Sequence, residues 1–301
     1  EDETREGLNV SQPYVIKILV PSGDPAGVRV VEKSNWSGQV VVFARSDLAL
    51  AASERLDSPG VYILRGEDPD EAFDSVVYVG QSDNVARRLT QHVRSDDKEF
   101  WTETVAFVSK DSALNKAHGS LLEAKLIELA NTAGRAKIMN GTQPPSPSLS
   151  ATDLVEAEGF LAEALAILPL VGVVAFKKPS PRASVSNRLF LSGPETEGKG
   201  EIRSDGFLVL AGSTARTDAV DSLGTGWVKL RGHLVETGVF VEEGSSCRLS
   251  QDYLFKSISA ASSILLGRQS NGWLEWKNSD GVTMKDLQAQ EIDANTETAG
   301  N

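Results

Sequence analysis

The chain has 301 residues, of which 40% are hydrophobic, enough for one large or two ordinary globular domains with a buried core. A net charge of −12 with no strongly basic segment argues against a protein that coats nucleic acid non-specifically, since that mode needs many cations. A single cysteine, Cys247, excludes an internal disulfide and a cysteine-rich metal site. The longest apolar stretch, 161–176, is too short to span a bilayer, and the first residues lack a signal-peptide pattern. We therefore expect a cytoplasmic protein without membrane association.

The first 57 residues predict a β extension followed by a short helix. Apolar and polar residues alternate in the first strand, and β-branched runs form the next two, so we expect a three-stranded meander. Ser46 or Asp47 is the expected helix cap. The predicted strands are at 13–20, 28–31 and 39–43, and the helix is at 46–55.

Residues 58–140 predict a compact α/β unit. An acidic loop at 66–74 separates its first two strands, and Asp83 or Asn84 is placed to cap its first helix. The second helix carries apolar residues at helical spacing. The predicted strands are at 61–64, 76–79 and 102–108, and the helices are at 84–93 and 115–130.

The rest of the chain predicts a linker and a second domain. A Pro/Ser-rich stretch precedes an amphipathic helix that Pro169 ends, and together they form a connecting segment, 141–178. A small mixed domain is expected at 179–286 and a disordered acidic tail at 287–301. The whole pattern predicts an α+β fold. Within the small domain, strands are predicted at 206–211 and 227–230 and a helix at 257–266.

The chemistry-bearing residues are two tyrosine motifs on strands and three polar residues on helices. Gly60-Val61-Tyr62 lies on one predicted strand and Tyr78-Val79-Gly80 on the next, while Arg88, His92 and Glu123 lie on the two helices after them. In contrast, the three histidines are too dispersed for a His-x-x-x-His zinc pair. The ordered set of tyrosine motifs and helix residues resembles the GIY-YIG endonuclease family.

The resemblance implies a DNA endonuclease that uses one Mg²⁺ or Mn²⁺ ion. Tyr62 then acts as general base, Arg88 clamps the phosphate, and Glu123 holds the metal, while Tyr78 and His92 position water or phosphate. Phosphodiester hydrolysis is compatible with these residue types, because it needs a proton acceptor and positive charge on the phosphoryl oxygens. The implied substrate-binding residues are Gly80, Gln81, Arg87 and Asn140. We expect the strands that carry the two tyrosines to be neighbours in an antiparallel sheet, and Arg88 rather than Arg87 to point inward, because Arg88 and His92 share one helix face.

Each of these residues also has a structural interpretation. Tyr62 and Tyr78 are also consistent with core tyrosines at strand edges, and Arg88 with His92 is consistent with an exposed polar face. Glu123 is also consistent with the edge of the apolar stripe of its helix, close to Lys125.

Two departures from the family pattern bear on activity. Gln81 stands where many members carry lysine, and the loop between the tyrosine motifs is longer and more acidic than in small members. Both changes reduce positive potential near the phosphate. The alternative function is therefore a nucleic-acid- or protein-binding scaffold with little or no turnover. DNA is the expected partner, through a local basic surface, and a protein partner is left open.

The C-terminal region carries a second resemblance. Its Ala260-Ala-Ser sequence followed by Asn271-Gly-Trp-x-x-Trp is similar to a small domain of unknown function in bacterial GIY-YIG proteins and to small domains attached to restriction and adenine-methylation enzymes. Small residues packed on Trp273 and Trp276 predict a mini-core in which at least one indole is buried. A stacking platform that combines Trp273 with Arg268 is the alternative.

Overall fold

A computed structural model describes residues 13–68, 73, 75–95, 98–145, 147–177, 188–218, 220 and 223–290. The fold is mixed α+β. The chain divides into two compact units that are not contiguous in sequence. The first unit takes its residues from 1–64, 79–123 and 144–172, and the second from 65–78, 124–143 and 173–301.

The first sheet of the described residues has seven strands in the order β1-β2-β3-β6-β4-β5-β7. Its strands β1 to β3 form the predicted antiparallel meander, and β3 then pairs with β6 along its whole length. The valine-rich β3 is almost wholly buried, as expected for a central strand. The strands are β1 (Ile16–Leu19), β2 (Arg29–Lys33), β3 (Gly38–Ala44), β4 (Gly60–Gly66), β5 (Ser75–Ser82), β6 (Glu103–Ser109) and β7 (Ala136–Ile138).

Two helices of this part of the chain begin at side-chain caps, and the cap at Asn84 is one that the sequence predicts. Asn84 Oδ1 accepts a hydrogen bond from the Arg87 amide, and Ser150 Oγ accepts one from the Asp153 amide, so both satisfy helix-end donors. The helices are α1 (Leu48–Ala51), α2 (Val85–Ser95), α3 (Lys116–Ala133) and α4 (Ala151–Ile167).

The helix predicted at 46–55 is wrong in length and cap. A 3₁₀ turn, Arg45–Asp47, leads into the single-turn α1, and neither Ser46 nor Asp47 caps it with its side chain. The chain leaves the helical conformation early, and Arg55 has a positive φ of 61°.

The second sheet of the described residues also has seven strands and lies wholly in the second unit. The strands run in the order β12-β13-β11-β9-β10-β14, with β8 paired to β9, and α5 and α6 contribute to the same buried core. Ser257 Oγ caps α6 by accepting a hydrogen bond from the Ala260 amide. The elements are β8 (Leu189–Gly193), β9 (Thr196–Arg203), β10 (Gly206–Val209), β11 (Thr214–Arg216), α5 (Thr225–Glu236), β12 (Phe240–Glu243), β13 (Ser246–Leu249), β14 (Tyr253–Phe255), α6 (Ile258–Leu266) and α7 (Gly272–Glu275).

Two predictions for the C-terminal region differ from the structure. The strand predicted at 227–230 is wrong, because these residues lie in α5, where Leu230 and Leu234 are buried at helical spacing. The expected disordered tail begins within a helical stretch, since residues 284–290 are helical, and 291–301 lie outside the described residues. Residues 178–187, where the predicted connecting segment meets the small domain, also lie outside them.

No helix among the described residues combines the length and the apolar character that crossing a bilayer requires.

Candidate functional site

Tyr62 and His92 meet through their side chains. Tyr62 lies on β4 and is 1% exposed, while His92 lies on α2 and is 3% exposed. Tyr62 Oη and His92 Nε2 are 2.9 Å apart and hydrogen-bonded, with the two rings nearly edge to face. The phenolic proton of Tyr62 therefore has a potential acceptor already in place.

Gly80 makes room for the Tyr62 ring. A Cβ atom built on Gly80 would lie 2.5 Å from both Cζ and Oη of Tyr62, far inside contact distance. The glycine of the second tyrosine motif is thus required by the close approach of β5 to the first tyrosine. As predicted, β4 and β5 are neighbours in the sheet.

Helix α2 presents its arginines to solvent. Val85, Leu89 and His92 are its buried residues, whereas Arg87 and Arg88 are both exposed. The expectation that Arg88 rather than Arg87 would point inward is not met in burial. Arg88 Nη1 donates to Gln91 Oε1 at 3.2 Å. Because α2 contains no acidic residue and Arg94 is exposed as well, the helix forms a local basic surface.

Glu123 lies half-buried on α3, within reach of the Arg88 charge. Burial raises the pKa of the Glu123 carboxyl to about 7, and the positive charge of Arg88 opposes this rise. Near neutral pH the carboxyl therefore exchanges between its acid form and its carboxylate form. The electrostatic link between Arg88 and Glu123 joins two residues that the sequence assigned to one site.

Gln81 lies against the same helix. A Cβ atom on Gly119 would be 3.4 Å from Gln81 Cβ, so the end of β5 packs on α3 at Gly119. Gly119 and Glu123 are four residues apart on α3 and hence share a helix face. Sequence reasoning missed Gly119, although its helical spacing from Glu123 was the available signal.

Tyr78 and Asn140 belong to the second unit. Both are half-buried. Strands β5 and β7 pair in parallel up to Val77 and Ile138, so Tyr78 and Asn140 follow one and two residues after this last pair.

The chemistry that these groups can perform is proton transfer and anion binding. The Tyr62–His92 pair can accept and pass on a proton, α2 offers guanidinium groups to phosphate, and the ionised Glu123 offers oxygen ligands to a hard divalent ion. One carboxylate is enough for Mg²⁺ only when water and substrate oxygens complete the coordination shell.

The two tryptophans of the C-terminal domain have different environments. Trp276 is fully buried and packs on Phe207 with ring centroids 4.6 Å apart, so the predicted mini-core is confirmed. Trp273 is partly buried against the same core. Arg268 Nη2 donates to Glu275 at 2.7 Å, which engages the guanidinium proposed for the alternative stacking platform.

Comparison with known proteins identifies only the C-terminal part of the chain. A family described as a domain of unknown function (DUF4357) matches residues 189–288, which coincide with the strands and helices from β8 onward. This match bears out the expected C-terminal domain of unknown function, and it does not extend to 58–140. No curated protein and no solved structure matches the chain.

Proposed function

We propose that residues 58–140 form a divalent-metal-dependent endonuclease of the GIY-YIG type that hydrolyses phosphodiester bonds in DNA. The observation that carries the proposal is the Tyr62–His92 hydrogen bond beside Gly80. The hydrogen bond and the close approach of Gly80 bring together three residues of the sequence signature, Tyr62, Gly80 and His92. These residues lie up to 30 positions apart in the chain.

In this function Tyr62 is the general base. An attacking water gives its proton to the phenolic oxygen of Tyr62, and the hydrogen bond to His92 gives the phenolic proton an acceptor 2.9 Å away. Arg88, on the exposed face of α2, binds the phosphate and balances its developing charge. Glu123 would hold the Mg²⁺ or Mn²⁺ ion, which supplies electrophilic stabilisation of the phosphoryl oxygens when bound.

The exposed arginines of α2 support DNA as the substrate. The net charge of −12 disfavours a broad electrostatic attraction, so binding depends on this local basic helix. We therefore expect affinity for DNA to be weak and strongly salt-dependent.

The decisive experiment measures nicking of supercoiled plasmid and cleavage of branched and flapped duplexes, with Mg²⁺ or Mn²⁺ at low salt. We expect cleavage by the wild-type protein and its loss in Glu123→Gln, which keeps side-chain volume and removes the charge that a hard cation needs. Glu128→Gln is the matched control, since Glu128 is an exposed glutamate on the same helix. Tyr62→Phe should reduce turnover and spare binding, because only the hydroxyl is removed.

A binding scaffold is the alternative that the same experiment resolves. Its support is Gln81, an uncharged side chain packed on α3 where many family members place a lysine. Wild-type protein that binds DNA but cleaves none of the forms would favour the scaffold, as would a Glu123→Gln variant that cleaves as fast as wild type.

A further inference from the structure

A second group of potential metal ligands lies where the first turns of α3 and α4 meet. His118 is the third residue of α3, and Asp153 and Glu156 lie in the first two turns of α4. Because Asp153 and Glu156 are three residues apart, they share one helix face. We propose that His118, Asp153 and Glu156 form a binding site for a zinc ion, separate from the endonuclease site.

The orientation of the His118 ring supports this site. His118 Nδ1 lies 3.2 Å from the carbonyl oxygen of Ala113, and since a carbonyl only accepts, Nδ1 carries the proton. In the neutral ring, Nε2 then presents a lone pair. A ligating histidine is commonly held this way, with its other nitrogen donating to a backbone carbonyl.

His118 Nε2 is a buried atom that makes no hydrogen bond to any residue that the structure describes. The residue is 4% exposed, so solvent does not readily satisfy this nitrogen. A buried polar atom without a partner costs free energy that a ligand would recover. The nitrogen is directed at the carboxylates, because Asp153 Oδ1 is 3.8 Å away.

The three ligand atoms are close enough to share one ion. One atom from each side chain lies within 4.8 Å of the other two. Zinc bonds of about 2.0–2.2 Å place tetrahedral ligand atoms about 3.4 Å apart, so small rotations of the carboxylates on α4 would close the site. Glu156 is exposed and Asp153 half-exposed, which leaves both free to make this adjustment.

The donor set favours zinc over magnesium. Imidazole nitrogen is a preferred ligand of Zn²⁺, and two carboxylates neutralise its charge, whereas Mg²⁺ prefers oxygen ligands only. Three protein ligands leave the fourth position open. A pocket of 270 Å³ borders His118 and Glu156, and its other lining residues include Trp36 and Asp111. A water or a small anion in this pocket would complete the coordination.

This site differs from the one at Glu123. His118 precedes Glu123 by five residues on α3, which turns the two side chains about 140° apart around the helix. The sequence did not reveal the zinc site because its ligands come from two helices separated by the Pro/Ser-rich linker. Bound zinc would hold α4 on the first turn of the helix that carries Glu123.

The test is titration of chelator-treated full-length protein with Zn²⁺ by calorimetry, and with Co²⁺ by visible absorption. We expect one ion per chain. Asp153→Asn combined with Glu156→Gln should weaken binding by more than the roughly 10- to 100-fold typical of losing a residue that only supports a ligand. His118→Gln should do the same. The double variant changes only surface carboxylates, so it tests the site even if His118→Gln does not fold.

Two controls separate this proposal from general affinity for metal and from the endonuclease proposal. Glu158→Gln removes an exposed carboxylate of α4 outside the cluster, and Glu123→Gln removes the candidate magnesium ligand. Both variants should bind Zn²⁺ as wild type does, whether or not the protein cleaves DNA. The proposal is overturned if wild type binds no stoichiometric ion, if the double variant retains wild-type affinity, or if either control loses it. That result would leave His118 and Asp153 as neighbouring side chains without a metal between them.

Discussion

The fold changes the ionisation of Glu123, the residue proposed to hold the divalent ion. Burial raises its pKa from 4.5 to about 7 despite the neighbouring Arg88 charge. Folding therefore favours the protonated carboxyl. The stability that the protonated Glu123 carboxyl contributes is fully present below about pH 4.5 and is lost as pH rises through 7.

The raised pKa of Glu123 leads to a stability prediction for Glu123→Gln. Without divalent ions, the variant should exceed wild type in free energy of unfolding by about 1–2 kcal/mol at pH 8, a value discounted for the partial exposure of the carboxyl. The difference should vanish near pH 4.5, where both side chains are neutral. Urea unfolding at several pH values measures it, with Glu128→Gln as the control that should show no such trend.

The same titration predicts how metal binding depends on pH. Because the ion needs the carboxylate form, Mg²⁺ or Mn²⁺ should raise the Tm of wild type at pH 8 much more than at pH 6, and should not stabilise Glu123→Gln. A stability difference between wild type and variant that stays constant from pH 5 to pH 8 would contradict the raised pKa.

At the scale of elements, the close packing of β5 on Tyr62 makes Gly80 a sensitive position. Gly80→Ala places a methyl group where the Tyr62 ring lies, so either the ring or the strand must move. Overpacking of this kind costs about 1–3 kcal/mol. Gly141→Ala is the matched control, since a Cβ atom there meets nothing within 4 Å.

Urea unfolding measures this cost, and nuclear magnetic resonance of the His92 ring reports on its hydrogen bond to Tyr62. We expect Gly80→Ala to change both and Gly141→Ala to change neither. Equal stability of the two variants would show that β5 relaxes without displacing Tyr62.

The elements that could be predicted from the sequence are those with local signals. Asn84 caps α2 through a contact within three residues, as predicted, and the apolar pattern that Pro169 ends found α4 without knowledge of its cap at Ser150. Helix α5 was missed because Gly226 and Gly232 lower its helical propensity, and its stability comes from burying Leu230 and Leu234 in the core.

The candidate site also combines features that could be predicted from the sequence with features that could not. The motif order placed Tyr62 and His92 in one site, whereas their hydrogen bond, the packing of Gln81 on Gly119 and the raised pKa of Glu123 depend on how the helices dock. The residues of the proposed zinc site lie on two helices separated by β7 and the Pro/Ser-rich segment, and no periodicity connects His118 with Asp153. Sequence patterns report short-range structure, and these contacts are long-range.

At the scale of the whole molecule, the C-terminal family match is smaller than the unit that contains it. The second unit adds 65–78 and 124–143 to the strands and helices from β8 onward. Tyr253 Oη donates to the Gly134 carbonyl at 2.5 Å, and Arg135 Nη1 donates to Asp205 Oδ2 at 3.1 Å. The matched residues 189–288 thus use partners that precede them in the chain.

The Arg135–Asp205 ion pair tests this dependence. Arg135 is 6% exposed, and Lys177 Nζ also contacts Asp205 at 3.0 Å. Burial acts to raise the pKa of Asp205, but hydrogen bonds and charges from Lys177 and Arg135 outweigh it, so the pKa is lowered. The carboxylate therefore contributes stability above its ordinary pKa of 3.8, and this contribution is lost as pH falls through the lowered value.

Asp205→Asn should consequently destabilise the protein by about 3 kcal/mol at pH 7, because it removes the carboxylate charge that faces the buried Arg135 cation. Glu243→Gln is the control: it breaks the Arg248–Glu243 pair, whose side chains are 42% and 46% exposed, and should cost at most about 0.5 kcal/mol. Urea unfolding of both variants at pH 7 and pH 3 measures the costs. The Asp205→Asn deficit should shrink at the lower pH, where the wild-type carboxylate begins to protonate. A deficit no larger than that of Glu243→Gln would show that the domain of unknown function is stable without its pairing to residues 124–143.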